Sequence, residues 1–217
     1  MLSYYIYLLV ITSSMLVCLI LYKSVKKTAL KYFLPFLVLT IIVELSGLWM
    51  NQHGIKNYLL FNVFTTVEFV FYSFLFFKHY RKNENKLLSL LFMPLYTLAV
   101  IINLIYFQGI ERFHTYTFLL GSFFIVVFCC LFFYESVLPE YIESTLTKEP
   151  FFWVCTGLLL FYLGSVIINA LFEYLRTFDM QFEGKKIYST INQILNILLY
   201  TAFLISFIVC RNNNKTY

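Results

Sequence analysis

Seven long, predominantly apolar stretches parted by short polar segments set the rhythm of this chain: Tyr4–Tyr22, Tyr32–Met50, Tyr58–Phe77, Leu87–Phe107, Thr115–Tyr134, Phe151–Phe172 and Ile187–Cys210. Each comes close to or exceeds the ~20 residues a helix needs to cross a hydrocarbon layer ~30 Å thick. None keeps the strict period of two that marks a half-buried strand. A bilayer offers no partners to exposed backbone amides, so stretches of this length cross it as helices. The pattern predicts an all-α polytopic membrane protein, a single transmembrane domain over residues 1–217 with seven transmembrane helices. Tyr22, Tyr32, Trp49, Tyr58, Tyr134 and Trp153 stand at the ends of the runs, where amphipathic rings sit at headgroup level.

Inside the runs the polar positions keep to one side. In the third, YLLFNVFTTVEFVFYSFLFF, a step of ~100° per residue gathers Asn62, Thr65, Thr66, Glu68, Tyr72 and Ser73 on one face and leaves Val63, Phe64, Val67, Val70, Phe71, Phe74 and Leu75 on the other. At ~1.5 Å per residue Glu68 lies about 15 Å from Tyr58, near the middle of the span. A carboxylate at that depth must be protonated, hydrogen-bonded or turned to a wet cavity. The second run carries Glu44 among Thr40, Gly47 and Asn51, and the short turn Asn51–Asn57 folds it back on the third, so that Glu44 and Asn62 are expected within reach of each other. Asn103 in the fourth run follows Pro94, a predicted kink. Asn169 in the sixth and Asn192, Gln193 and Asn196 in the seventh continue the pattern.

With helices alternating in direction, Glu44, Asn62, Asn103, Asn169, Asn192, Gln193 and Asn196 fall in one half of the membrane, while the other half of the same helices is nearly devoid of amides and acids. Hydrogen bonds between helices average ~0.6 kcal/mol and have no reason to favour one leaflet. The asymmetry therefore points to a polar pocket lined by these seven residues with Glu68 and Tyr72, open on one side.

Charge sets which side. Loops after the odd-numbered runs hold eleven lysines and arginines against five in the others, so the positive-inside rule places the N-terminus outside, the C-terminus in the cytoplasm and the pocket outward. No basic segment precedes the first run, which is expected to remain as an uncleaved anchor. Mean hydropathy is +0.79. Only 12% of residues are charged, against about 25% in soluble domains. A net charge of +5 dispersed over loops serves topology and excludes a nucleic-acid surface; the bilayer is the expected partner.

Chemistry narrows the picture further. Cys18, Cys129, Cys130, Cys155 and Cys210 lie in apolar runs and read as small buried hydrophobes rather than a disulfide framework. His53, His79 and His114 stand in loops or at helix ends, Asp179 is the sole aspartate, and no HExxH, GxSxG, GxGxxG, P-loop or CxxC motif occurs. No catalytic residue, metal or cofactor is expected. The acidic segment Glu135–Pro150, with Glu135, Glu140, Glu143 and Glu149 against Lys148, is unusual beside anionic headgroups and reads either as a solvated loop or as a surface offered to a basic cytoplasmic protein.

Seven helices with an outside N-terminus resemble the three-plus-one-plus-three plan of the SWEET-type sugar transporters, in which Glu68 and Tyr72 of the third helix would correspond to Asn196 and Tyr200 of the seventh; that resemblance implies solute transport. The Phe-, Tyr-, Ile-, Asn- and Lys-heavy composition is similar to that of small seven-helix inner-membrane proteins of AT-rich bacteria, which implies a multi-pass protein of the bacterial inner membrane and no particular activity. The expected function is recognition of a small polar ligand, as a heptahelical sensor or accessory subunit. A small-solute or proton-coupled transporter is the alternative, and an intramembrane enzyme acting on lipid through Glu44 and Glu68 comes third.

Overall fold

A computed structural model describes residues 2–138, 145–177 and 181–213. The helices are α1 (Leu2–Ile20), α2 (Tyr22–Val25), α3 (Phe33–Gln52), α4 (Tyr58–His79), α5 (Asn83–Ile102), α6 (Thr115–Ser136), α7 (Pro150–Thr177) and α8 (Gln181–Asn213). Short 3-10 turns occupy Ala29–Tyr32 and Leu146–Lys148, and a π turn, Asn103–Phe107, finishes α5. Six helical stretches among the described residues are long and apolar enough to cross a membrane: Ala29–Gln52, Tyr58–His79, Asn83–Phe107, Thr115–Ser136, Pro150–Leu171 and Ile187–Asn213. The apolar α1 accompanies them. At most half of each spanning window is buried within the protein, and on α5 the outward row Leu91, Leu95, Leu98, Ile102 and Ile105 stays exposed. Exposed apolar area on that scale is the signature of a multi-pass membrane protein whose outer faces meet lipid.

Helix ends depart from the edges of the apolar runs. Helix α5 starts four residues before Leu87, and α8 starts six before Ile187. The physical reason is that a helix is closed by its own backbone bonds and continues into water through Asn83–Lys86 as readily as through leucine, whereas hydropathy marks only the part that suits lipid. Asp179, Glu140 and Glu143 lie outside the described residues.

The chain divides into two compact units, residues 1–27 with 143–217, and residues 28–142. The grouping sets the first helix with the last two and the second to fifth together, a different partition from the first-three, last-three plan.

In the unit of residues 28–142, α4 is the central helix. It buries Asn62, Phe64, Glu68, Phe69, Tyr72, Ser73, Leu75 and Phe76, while Val63 and Val67 face out at 55% and 41% exposure, close to the face its polar residues predict. Helix α3 packs on it through Phe36 and Phe71, stacked with centroids 3.9 Å apart, and Phe33 meets Phe71 edge-on. Gly47 makes that approach possible: a Cβ there would stand 2.7 Å from the Phe61 ring. On the other side Phe69 stacks on Tyr96 of α5 at 3.9 Å, and the Tyr96 ring fills the space a side chain at Gly121 of α6 would need. At the Tyr80 end, Phe76, Phe92 and Phe128 pack together and the Tyr80 hydroxyl donates to Phe128 O at 2.8 Å. Glu135, 2% exposed at the end of α6, turns back to accept bonds from Arg81 N (2.8 Å), Lys82 N (3.3 Å) and Asn85 Nδ2 (2.6 Å). Its carboxylate thus meets the free amides that open α5, where the helix dipole favours a negative charge.

In the unit of residues 1–27 and 143–217, α7 and α8 form an antiparallel hairpin. Gly157 faces Ala202 and Leu199, and Gly164 faces Leu195, at distances that leave no room for a Cβ. At one end of the hairpin Asn213 Nδ2 donates to Lys148 O at 2.7 Å. Small residues that let two backbones approach are how helices gain contact area where lipid removes the hydrophobic drive. Helix α1 runs parallel to α8: Tyr7 packs on Tyr200 with centroids 5.9 Å apart, and beyond the end of α1 Cys210 reaches Ser24 O at 3.8 Å, so the two chains advance together.

Candidate functional site

Glu68 sits on the buried face of α4, and one turn further along the same helix the Tyr72 hydroxyl donates to its Oε1 at 3.1 Å. Glu68 is 6% exposed and Tyr72 fully buried. Two more polar side chains come close enough to sense the Glu68 charge: Glu44, half-buried on α3, and Tyr96 on α5, held in place by Phe69 and Gly121. The middle of this unit therefore holds a hydrogen-bonded carboxyl and phenol, Glu68 and Tyr72, with Glu44 and Tyr96 in their surroundings.

Towards the Gly109 end a second, tighter constellation forms around a residue that the sequence assigns only to a helix end. His114 precedes α6 and is fully buried. Its backbone N–H donates to Asn62 Oδ1 at 3.1 Å, while Asn62 Nδ2 donates to Arg112 O at 2.9 Å, so the carboxamide is engaged at both ends by the loop. The Thr65 hydroxyl stands 2.6 Å from His114 Nε2 and also reaches Phe61 O at 2.8 Å. The Thr117 hydroxyl stands 2.7 Å from Nδ1 and likewise reaches a carbonyl, His114 O at 3.2 Å, so each ring nitrogen has a hydroxyl partner that can donate or accept. The Thr117 oxygen in turn accepts from Asn103 Nδ2 at 3.2 Å, and the same amide donates to Gln108 Oε1 at 2.7 Å. Burial with no opposite charge nearby lowers the His114 pKa to about 4. At the rim, Lys56 and Glu111 pair at 2.8 Å in full solvent, which raises the pKa of the lysine and lowers that of the glutamate.

No family model matches the chain, and neither a curated protein nor a solved structure shows significant similarity to it. The functional reading rests on the geometry alone.

Of the residues that the sequence singles out, Asn62 and Asn103 are joined through His114 and Thr117, and Glu68 and Tyr72 are bonded to each other below them, with Glu44 in their surroundings. Asn62 directs its bonds to residues 112–114. Asn169, Asn192, Gln193 and Asn196 belong to the other unit, half-buried along α7 and α8. There Asn169 donates to Ser165 O at 2.7 Å and is hydrogen-bonded to Tyr188, Asn196 donates to Asn192 O at 2.9 Å, and Gln193 donates to Ser189 Oγ at 3.3 Å.

His114, Thr117 and Gln108 are the residues that sequence reasoning missed. The spacing of His114 and Thr117 at a helix start is a local signal, but the contact to Thr65 spans 49 positions and no periodicity announces it. Among the described residues no group of three His, Cys, Asp or Glu side chains is placed to hold a metal. A groove of about 480 Å³ lies at Pro94, lined by Val70, Met93, Thr97, Leu98 and Ile101. Its one polar side chain, Thr97, already donates to Met93 O at 2.9 Å, so the groove suits an acyl chain rather than a polar solute.

Proposed function

We propose that this protein is a seven-span sensor or accessory subunit of the bacterial inner membrane, N-terminus outside and C-terminus in the cytoplasm, that recognises a small polar ligand from the outer side. The observation that carries this reading is the one-sided polarity of the unit of residues 28–142. Hydrogen-bonding side chains run from Gln108 and His114 through Asn62 and Thr65 to Glu68 and Tyr72, and beyond them towards Tyr80 the interior is filled by Phe33, Phe36, Phe76, Phe92 and Phe128. A carrier needs polar groups on both sides of its midplane site, because a solute or proton must leave as well as enter. Polar side chains thin out beyond Tyr72 to Ser73, Ser89 and the tied-up Glu135, which favours recognition over transport. The parallel course of α1 and α8 supports the odd number of spans, since a first and a last helix crossing in the same direction require it.

In this reading the cytoplasmic signal leaves through the segment Glu135–Pro150, towards a basic protein. Glu135 is consumed by its bonds to Arg81, Lys82 and Asn85. The acidic offer in this reading comes from Glu140 and Glu143.

The test is a pair of measurements on the purified protein. Thermal shifts against panels of amino acids, sugars and small amines are expected to reveal a stabilising ligand whose effect weakens in Glu68→Gln. Proteoliposomes are expected to carry no flux of that ligand or of protons; a saturable flux lost in Glu68→Gln would replace this reading with the transporter.

A further inference from the structure

We propose that His114 is an acid-sensitive latch that holds the connection between α5 and α6 closed against α4 at neutral pH and releases it on acidification. The inference stands on the hydrogen-bond network and does not depend on the identity of any ligand.

The geometry makes His114 the residue that bonds to both α4 and α6 at this end. Its N–H meets Asn62 and one ring nitrogen meets Thr65, both on α4; the other ring nitrogen meets Thr117 on α6, which passes the chain of bonds to Asn103 and so to Gln108. The other ties from this loop are the Asn62–Arg112 bond and the solvent-exposed Lys56–Glu111 pair, which water and salt weaken. Gly109, with φ of +74° and open space around it, gives the loop a point about which to swing. The π turn at Asn103–Phe107, a rare geometry within helices, ends α5 next to this loop.

Among the described residues no neighbouring element supplies a counter-charge for an imidazolium. On α4 the nearest titratable group is Glu68, one turn beyond Thr65 and already bonded by Tyr72. Helix α6 offers Tyr116, which is exposed, and α3 offers Glu44. In the loop, Arg112 carries a like charge, and Glu111 is turned outward to Lys56. Both ring nitrogens of a charged His114 would still find hydroxyl oxygens, so what opposes protonation is dryness without an anion rather than lost hydrogen bonds.

The sign follows from linkage. His114 has a pKa of about 4 in the closed state, against an ordinary value of 6.5 in water. An opened loop therefore binds the proton more tightly, and the closed state is fully favoured above 6.5 and loses ground as pH falls from there to about 4. The whole difference shifts the closed-to-open ratio roughly 300-fold. With the N-terminus outside, the pH sensed is that of the outer compartment.

The experiment is spin labelling of Ile110→Cys in a background free of native cysteines, in detergent, with the label attached at pH 7 before titration. Label mobility is expected to rise reversibly between pH 6.5 and about 4 in the otherwise native protein, and to stay flat in His114→Gln, which keeps a donor and an acceptor but cannot titrate in this range. Thr65→Val removes the hydroxyl that faces Nε2, weakens the closed state, and is expected to move the transition to higher pH; it serves also where His114→Gln fails to fold. Glu68→Gln and Glu111→Gln are expected to leave the transition in place. A flat profile in the native protein, an unchanged transition in His114→Gln, an unmoved midpoint in Thr65→Val, or loss of the transition in either glutamate variant would each overturn the latch.

Discussion

Asn62 shows how a single side chain in a membrane interior is held to strict accounting. The buried His114 N–H has this carboxamide as its partner, and the Arg112 carbonyl at the edge of the loop takes the other end. Asn62→Leu keeps the branching but not the hydrogen bonds, leaves the buried His114 N–H unpaired, and is expected to lower stability by about 1–3 kcal/mol, measured by denaturation in mild detergent. Glu135 is a second such residue, serving two backbone amides and the Asn85 side chain. Glu135→Ala is expected to cost a similar ~1–3 kcal/mol, and Glu135→Gln, which keeps an acceptor, clearly less. Equal losses in both would show that charge at the opening of α5, and not hydrogen bonding, is what matters. At Glu68 the isosteric Glu68→Gln is expected to insert and melt like the native protein, because it preserves the bond from Tyr72, whereas Glu68→Leu removes that bond and is expected to melt lower.

At the scale of elements, the close pairs are set by glycines and their partners. Gly157 and Gly164 bring α7 against α8, Gly47 admits the Phe61 ring, and Gly121 admits Tyr96. Gly157→Leu forces a branched side chain onto Ala202 and the Leu199 carbonyl, where neither neighbour can withdraw, and is expected to cost 1–3 kcal/mol or more. The same change at Gly54, whose surroundings are open, would act only through its positive φ of 69°. The parallel pairing of α1 with α8 is testable through two native thiols. Cys18 and Cys210 are both buried and close enough to interact electrostatically. With the other cysteines replaced, copper phenanthroline is expected to join them within one chain, and no cross-link would form if α1 ran antiparallel to α8.

For the whole molecule, orientation is the property that gives every other statement a side. His53→Cys and Gln108→Cys, in a cysteine-free background, are expected to react with an impermeant maleimide added outside intact cells, and Lys82→Cys and Thr147→Cys only after permeabilisation. The reverse pattern would turn the polar end of the unit of residues 28–142 to the cytoplasm.

The sequence by itself determined the membrane class, six of the apolar helices to within a few residues and the polar inward residues of α4, because these follow from quantities that are local along the chain: run length against bilayer thickness, and a 3.6-residue period of polar side chains. It also marked Asn62, Glu68, Tyr72 and Asn103 as interior, since lipid tolerates none of them. Only the tertiary structure decided what each of those groups touches. The grouping of α1 with α7 and α8, the tie from His114 to Thr65 across 49 positions, and the return of Glu135 to the start of α5 all join segments far apart in sequence. Such pairings depend on which helices become neighbours. Amphipathic pattern shows that a face must be covered, and cannot name the helix that covers it, because in lipid the choice rests on shape and on hydrogen bonds that exist only once the helices have met.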